Sequence, residues 1–329
     1  MIRRTAPPKA AVIFALGTVY VVWGSTYLGI AVMIRSLPPL LAAGVRYVVA
    51  GGLLLGFLWL RGRVRARRQG ATAQLEPITR RHWRSALIIG TLLLMGGNGF
   101  VVLSEQRIPS GIAAIMVATM PIWIAVMDGV VTGRRPSLLA LGGLVAGIVG
   151  VAILIAPVKG IAGLDPLGIG LAAFAPMCWA AGSIYARGAV MPRSHFVGSA
   201  IEMVCGGAVL FGAGMLTGEL ANANPATFGA DSLAALAYLI VFGSILAFSA
   251  FAWLLANVPT STVATYAYVN PIVAVALGAL VLREPITLRT LIASAVIIAA
   301  VVAMVSGRPR GAHDDARPAE SRVADDRAA

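Results

Sequence analysis

The chain has 329 residues, of which 59% are apolar and 12% charged, and its mean hydropathy is +0.87. So little charge cannot cover a soluble domain of this size. The net charge of +13 raises nucleic acid as a partner, but the arginines lack interleaved aromatics and a recognisable binding motif, so none is expected.

Runs of about 20 apolar residues cross a bilayer core as helices, and ten occur here. The first, 11–34, follows Arg3, Arg4 and Lys9 and carries Trp23-Gly24-Ser25-Thr26-Tyr27. It exceeds the apolar stretch of a signal peptide and no small-residue cleavage site follows, so it is read as a retained helix. The second, 39–60, holds Gly44-Val45-Arg46-Tyr47, and the 61–85 loop after it holds eight arginines. The third, 86–104, contains Gly96-Gly97-Asn98-Gly99 and ends at Glu105, read beside Arg107 as a solvated surface charge. The fourth, 109–131, contains Pro121 and ends near Asp128, another expected surface charge beside Arg134 and Arg135. The remaining runs are 138–156, 168–187, 197–217, 233–255, 260–282 and 288–305.

Helices satisfy their own backbone in lipid, so the expected fold class is an all-α integral membrane bundle of ten transmembrane helices. GxxxG spacings at Gly52/Gly56, Gly143/Gly147 and Gly214/Gly218 suggest close helix packing. Cys178 and Cys205 both lie in apolar runs and imply no disulfide framework. With the N-terminus inside, only Arg35, Arg107, Lys159, Arg283 and Arg289 of the 26 basic residues fall outside, and Arg46 lies within a run. That bias predicts both termini in the cytoplasm, with the arginine-rich loop against anionic lipid. The tail from Gly307, rich in Arg, Asp and Glu, is read as a disordered cytoplasmic end.

The chain also repeats itself. Ser110 to Pro121 reads SGIAAIMVATMP, and Thr260 to Pro271 reads TSTVATYAYVNP, 150 positions on. Earlier, at an offset of 156, Trp23 answers Trp179, Gly51 answers Gly207, and Arg46 answers Glu202. The organisation expected is an N-terminal segment (1–9), a first repeat (10–156), a second (168–306) and the tail (307–329). Five helices per repeat is an odd number, so the second repeat enters from the opposite side and the two are inverted. Exchanging the conformations of the halves then converts an inward-open form into an outward-open one.

Several chemistries are excluded by motif. Lys9 and Lys159 precede Ala and Gly, so there is no Walker A loop, and no histidine is followed by Glu, which removes HExxH. No serine has glycine at both flanking second positions, so there is no nucleophile elbow. An enzyme, a metal and a cofactor are therefore not expected.

Two ionisable residues lie deep in apolar runs. Arg46 and Glu202 differ by roughly 10 Å in predicted height. Each is either a gate or charge contact in a cavity, or a structural group: a snorkelling arginine and an interhelical hydrogen bond. Glu202 is the expected proton-coupling carboxyl. Asn98 either bonds a substrate or ties two helices together. Asn270 precedes Pro271, where proline frees a backbone carbonyl; Pro121 and Pro271 are read as paired hinges or static kinks. Trp23, Tyr27, Trp179, Tyr185, Tyr266 and Tyr268 are candidate cavity-lining residues for cationic or aromatic solutes. Tyr27 and Tyr185 also suit an interfacial belt.

These segments resemble the drug/metabolite transporter superfamily, specifically the EamA family of ten-helix exporters. The resemblance rests on Trp23 to Tyr27, Gly44 to Tyr47, Pro109-Ser110-Gly111-Ile112-Ala113-Ala114, Tyr266-Ala267-Tyr268-Val269-Asn270-Pro271 and Glu284-Pro285. The Asn98 and Glu105 segments make it look like the metabolite-exporter subgroup. It implies a bacterial inner-membrane secondary carrier, monomer or homodimer, exporting small metabolites, amino acids or drug-like compounds. The rival reading is a non-transporting scaffold, receptor or lipid-modifying membrane protein. A polar, aromatic-lined cavity between the repeats favours the carrier; a dry, packed interface favours the rival.

Overall fold

The computed structural model describes residues 8–69, 77–133, 164–258 and 265–306, with Val263 and scattered positions between 142 and 153. Among the described residues the fold is all-helical. Nine long helices follow in order: α1 (Lys9–Met33), α2 (Pro39–Gln69), α3 (Arg80–Glu105), α4 (Ser110–Thr132), α5 (Pro166–Gly188), α6 (His195–Leu216), α7 (Ala230–Tyr238 continued by Leu239–Leu246 and Ala247–Asn257), α8 (Tyr266–Leu282) and α9 (Leu288–Ser306). Seven of these, α1 to α7, are long and apolar enough to cross a membrane, and α8 and α9 contain shorter apolar helices. The fifth expected run and the tail lie largely outside the described residues.

One expectation changes at this level. The basic stretch after residue 60 begins as helix, because α2 continues to Gln69. Arginine is a good helix former, and Arg63 lies with its guanidinium carbon 3.8 Å from the Trp59 ring centre. The polar side chains inside the apolar helices are absorbed locally. Thr18, Ser183 and Ser294 donate to the carbonyls of Phe14, Trp179 and Thr290, one turn back, which pairs these three hydroxyl protons within their own helices.

The most extensive packing is where α2 crosses α6, and it is reciprocal. A Cβ on Gly51 would stand 2.6 Å from the Ala200 carbonyl oxygen and 2.9 Å from a Val204 methyl. A Cβ on Gly207 would stand 2.9 Å from the Gly44 carbonyl oxygen and 2.7 Å from the Val48 nitrogen. With an offset of 156, the first contact is the second with the helices exchanged. This is the self-complementary pattern of a two-fold axis. Gly44 also lies against the Phe211 backbone and Gly214 against Leu41. The working glycines are thus seven apart, Gly44 with Gly51 and Gly207 with Gly214. The GxxxG reading is corrected in part: Gly214 packs on Leu41 and Gly147 on Ile122, but added Cβ atoms on Gly52 and Gly56 would meet nothing within 4 Å, and Gly218 sits at a left-handed φ of 80° beyond the end of α6.

The third helix of each repeat is widened at its middle. Thr91–Gly99 in α3 and Leu239–Leu246 in α7 are π-helical. Such turns widen the backbone spiral and are characteristic of functional sites. In contrast, the two repeat prolines differ. α4 stops at Val117, turns through Ala118 and Thr119, and restarts as Met120–Thr132 with Pro121 in its first turn. Pro121 therefore breaks no hydrogen bond there. Pro271 lies inside α8. The expected equivalence of the two kinks is not kept.

Candidate functional site

One end of the bundle is tied together by its links. Call it the upper end, where α1 closes and α2 opens. Gly229 N–H donates to Ser36 Oγ and Ser232 Oγ to the Val32 carbonyl, both at 2.8 Å. The Glu219 carboxylate accepts from the free N–H groups of Leu40 and Leu41 at the start of α2, at 3.2 and 2.9 Å. The Glu284 carboxylate does the same for α4, accepting from Ser110 N and Oγ at 2.8 Å and from Gly111 N at 3.1 Å. A carboxylate at a helix N-terminus meets unpaired donors and a favourable dipole. Arg107 pairs with Asp165 at 2.8 Å. That bond, with the Leu167 N–H, holds the Asp165 carboxyl below the usual carboxylate range.

Glu105 is the exception at this end. It is only 9% exposed, and both carboxylate oxygens are buried without a hydrogen-bond partner. The reading as a solvated charge beside Arg107 is thereby corrected: Arg107 is engaged by Asp165, and Glu105 points inward, within electrostatic reach of Tyr27 and Glu284. Asp128 is exposed as expected, but its partner is Arg187 of α5; Arg134 and Arg135 lie outside the described residues.

Within the bundle lies a cavity of about 100 Å³, lined by α1, α3, α4, α5, α7 and α8 with one turn of α2. It is therefore built from both repeats. A buried water needs about 10–15 Å³ on this scale, so the space suits a small solute. Of the expected residues, Trp23, Tyr27, Arg46, Asn98, Trp179, Tyr266, Asn270 and Pro271 line it.

Their positions follow from the irregular backbone. Trp23 donates its indole N–H to the Gly243 carbonyl at 3.2 Å, within the π-helical stretch of α7. Its ring is held edge-on by Phe248 and Tyr266, with centroids 5.3 and 5.2 Å away. Arg46 is 3% exposed, donates from Nε to Ser244 Oγ at 2.9 Å, and lies over the Tyr47 ring at 4.6 Å. Asn98 comes from the π-helical stretch of α3 and makes no side-chain hydrogen bond to a described residue; the helix-tying alternative is not what the geometry shows. Trp179 packs the edge of its ring against bare Gly97, where a Cβ would be 2.6 Å from Cε3. The Asn270 amide, 8% exposed, lies 3.2 Å from the carbonyls of Tyr266 and Tyr20, and with its nitrogen turned to that side it donates to both and joins α8 to α1.

Other expected residues fall elsewhere. Tyr185 does not line the cavity; it is 39% exposed, six residues beyond Trp179. Pro121 is buried next to the lining residue Met120. Glu202 is half-buried outside the lining, and its backbone carbonyl abuts Gly90 of α3. Tyr268 lies in α8, but its side chain is outside the described residues. Sequence reasoning missed Ser244, which anchors Arg46, and the capping role of Glu284. The only prior signal for the latter was Glu284-Pro285 directly after an apolar run.

Comparison with known proteins extends over nearly the whole chain. The model of the EamA-like transporter family matches residues 9–156 and again 166–306. The uncharacterized inner membrane transporter YedA of Escherichia coli K12 is 39% identical over 295 residues, covering 89% of this chain and 90% of its own. Protein PecM of Dickeya dadantii is 28% identical over 294 residues, covering 85% and 88%. The uncharacterized transporter YvbV of Bacillus subtilis is 24% identical over 304 residues, covering 92% and 94%. A protein crystal structure aligns with a TM-score of 0.56 at 17% identity, covering 90% of this chain and 96% of that one. That likeness concerns the fold alone.

Proposed function

Because the chain belongs to the EamA-like transporter family, we propose that it is an inner-membrane secondary carrier that exports a small metabolite, amino acid or drug-like compound by alternating access. The observation that carries this reading is the cavity. It lies between the repeats and is lined by two tryptophans, two amides, tyrosines and one buried arginine. A scaffold would fill this space as densely as the α2–α6 crossing, which is closed backbone to backbone.

The state described is tied at the upper end by the Glu219 and Glu284 carboxylates. With both termini in the cytoplasm, as the arginine distribution favours, that end faces outward. Export then requires these ties to open, with the two π-helical stretches and the α4 restart as the parts of the backbone able to change register. Proton coupling falls to a carboxyl in the helices; Glu202 and Glu105 are the two candidates. The arginine-rich segment after residue 60 holds the cytoplasmic side against anionic lipid.

The test is reconstitution of purified protein in liposomes with a panel of radiolabelled amino acids, organic acids and organic amines. Saturable uptake of at least one class is expected, accelerated by an imposed pH gradient and reduced in Glu202→Gln or Glu105→Gln. If no class moves, the carrier reading fails.

A further inference from the structure

We propose that the cavity is an anion site: it selects solutes bearing a carboxylate or similar anionic group on an apolar or aromatic body, and Arg46 receives that group. This rests on the cavity being the solute site. Arg46 is almost wholly buried, and among the described residues no Asp or Glu forms an ion pair with it. A buried guanidinium without a counter-ion is costly in a membrane and marks a functional contact. Ser244 holds Nε and the Tyr47 ring carries the guanidinium plane. Both fix the orientation, and neither supplies negative charge. The two terminal nitrogens are left to serve the cavity, in the fork geometry that matches a carboxylate.

The surroundings agree in sign. The described lining contains no Asp or Glu; the acids of the upper end, Glu105 and Glu284, lie outside it. Ala118 and Met120 at the restart of α4, and Tyr266 at the start of α8, are in the lining. Val117, the last residue of the first half of α4, lines the same space, so helix ends of both signs meet there and Arg46 is the one formal charge in the described lining. Asn98 adds an unengaged amide. The aromatic rings by themselves would attract cations, as the sequence suggested, but a full buried charge outweighs ring quadrupoles at this range. The rings are left to pack the body of the solute.

The test is a set of charge-matched probes: butyrate against butylamine, and 3-phenylpropionate against 3-phenylpropylamine. Binding to full-length protein in lipid nanodiscs is read by tryptophan fluorescence, since Trp23 and Trp179 line the cavity. In the wild type, carboxylates should bind at least ~10-fold tighter than the matched amines. Arg46→Gln should abolish that preference, and Arg46→Lys should keep it at weaker affinity. If Arg46→Gln does not fold, Ser244→Ala, which frees the Nε anchor, should weaken carboxylate binding alone. Amines binding as well as carboxylates, no carboxylate binding up to the solubility limit, or an unchanged preference in Arg46→Gln overturns the proposal. Transport of the bound probes separates this from the carrier reading. A carboxylate that binds but is never moved defeats the carrier and leaves the anion site. A carrier that moves amines without binding carboxylates defeats the anion site alone.

Discussion

At the α2–α6 crossing, Gly51 against Ala200 and Val204 is the same contact as Gly207 against Gly44 and Val48, made twice. One helix turn from this symmetric seam, the equivalence ends. Arg46 faces the cavity and Ser244, whereas its counterpart Glu202 lies outside the lining. The two regions are shaped by different demands. A two-fold seam can repeat one residue pattern because both halves need the same close approach. A single solute cannot be contacted identically by two inverted halves, so its site is built from the positions where the copies have diverged.

The seam is where substitution should cost most. A Cβ on Gly44 would stand 2.6 Å from the Phe211 nitrogen and 2.8 Å from its Cα, and backbone cannot move aside as a side-chain tip does. Gly44→Val should therefore destabilise the bundle by about 3 kcal/mol or more, read as loss of monodisperse protein in size-exclusion chromatography. Gly52→Ala, pointing into open space, should behave as wild type. Equal damage from both would show that glycine content, not the two-fold contact, holds the seam.

The next effect belongs to the asymmetric side. Glu284 satisfies three donors at the start of α4, and hydrogen bonds to a charged group contribute about 1.5–3 kcal/mol. Glu284→Ala should lower the thermal unfolding midpoint accordingly and loosen the upper end, measured as faster hydrogen exchange at Ser110 and Gly111. Unchanged exchange at those two amides would show that the carboxylate does not tie the end shut.

Much of the seam was readable in the sequence, because helix packing depends on residue size and spacing, and both are visible in a string. The 156 offset paired Gly51 with Gly207 as equivalents, and both lie in the seam, but it did not name the residues that each of them meets. The GxxxG reading found Gly214 and Gly147 but also chose Gly52 and Gly56, which face open space, since only the crossing decides which helix face is covered. The cavity was legible as composition: Trp23, Asn98, Trp179 and Asn270 stood out because polar or aromatic residues are scarce here. What could not be read was pairing across long separations. Arg46 meets Ser244 198 positions away, and Glu284 meets Ser110 174 positions away. Glu105 was misread because its sequence neighbour, Arg107, turns instead to Asp165.

That misreading yields the third prediction. Two carboxylate oxygens buried without donors oppose folding, so Glu105→Gln should raise thermal stability by about 1–2 kcal/mol, in contrast to the loss at Glu284. A fall of similar size would mean that Glu105 is engaged by a partner in the bilayer.

The smallest effect is expected at Asp165, which lies outside the apolar helices. Its carboxylate accepts from Leu167 N at the start of α5 and from Arg107. Asparagine caps a helix about as well as aspartate, so Asp165→Asn removes chiefly the exposed ion pair. Because Asp165 is held below the usual carboxylate range, the stabilisation from that pair is present above the unfolded value of about 3.9 and is lost as pH falls through the lower folded value. Wild type and Asp165→Asn should differ slightly at neutral pH, converge in strong acid, and converge again in high salt. A difference that persists through both conditions would place the contribution of Asp165 in the helix cap rather than in Arg107. The ties of the upper end would then rest on the Glu219 and Glu284 carboxylates, which accept from Leu40, Leu41, Ser110 and Gly111, and not on the Arg107 pair.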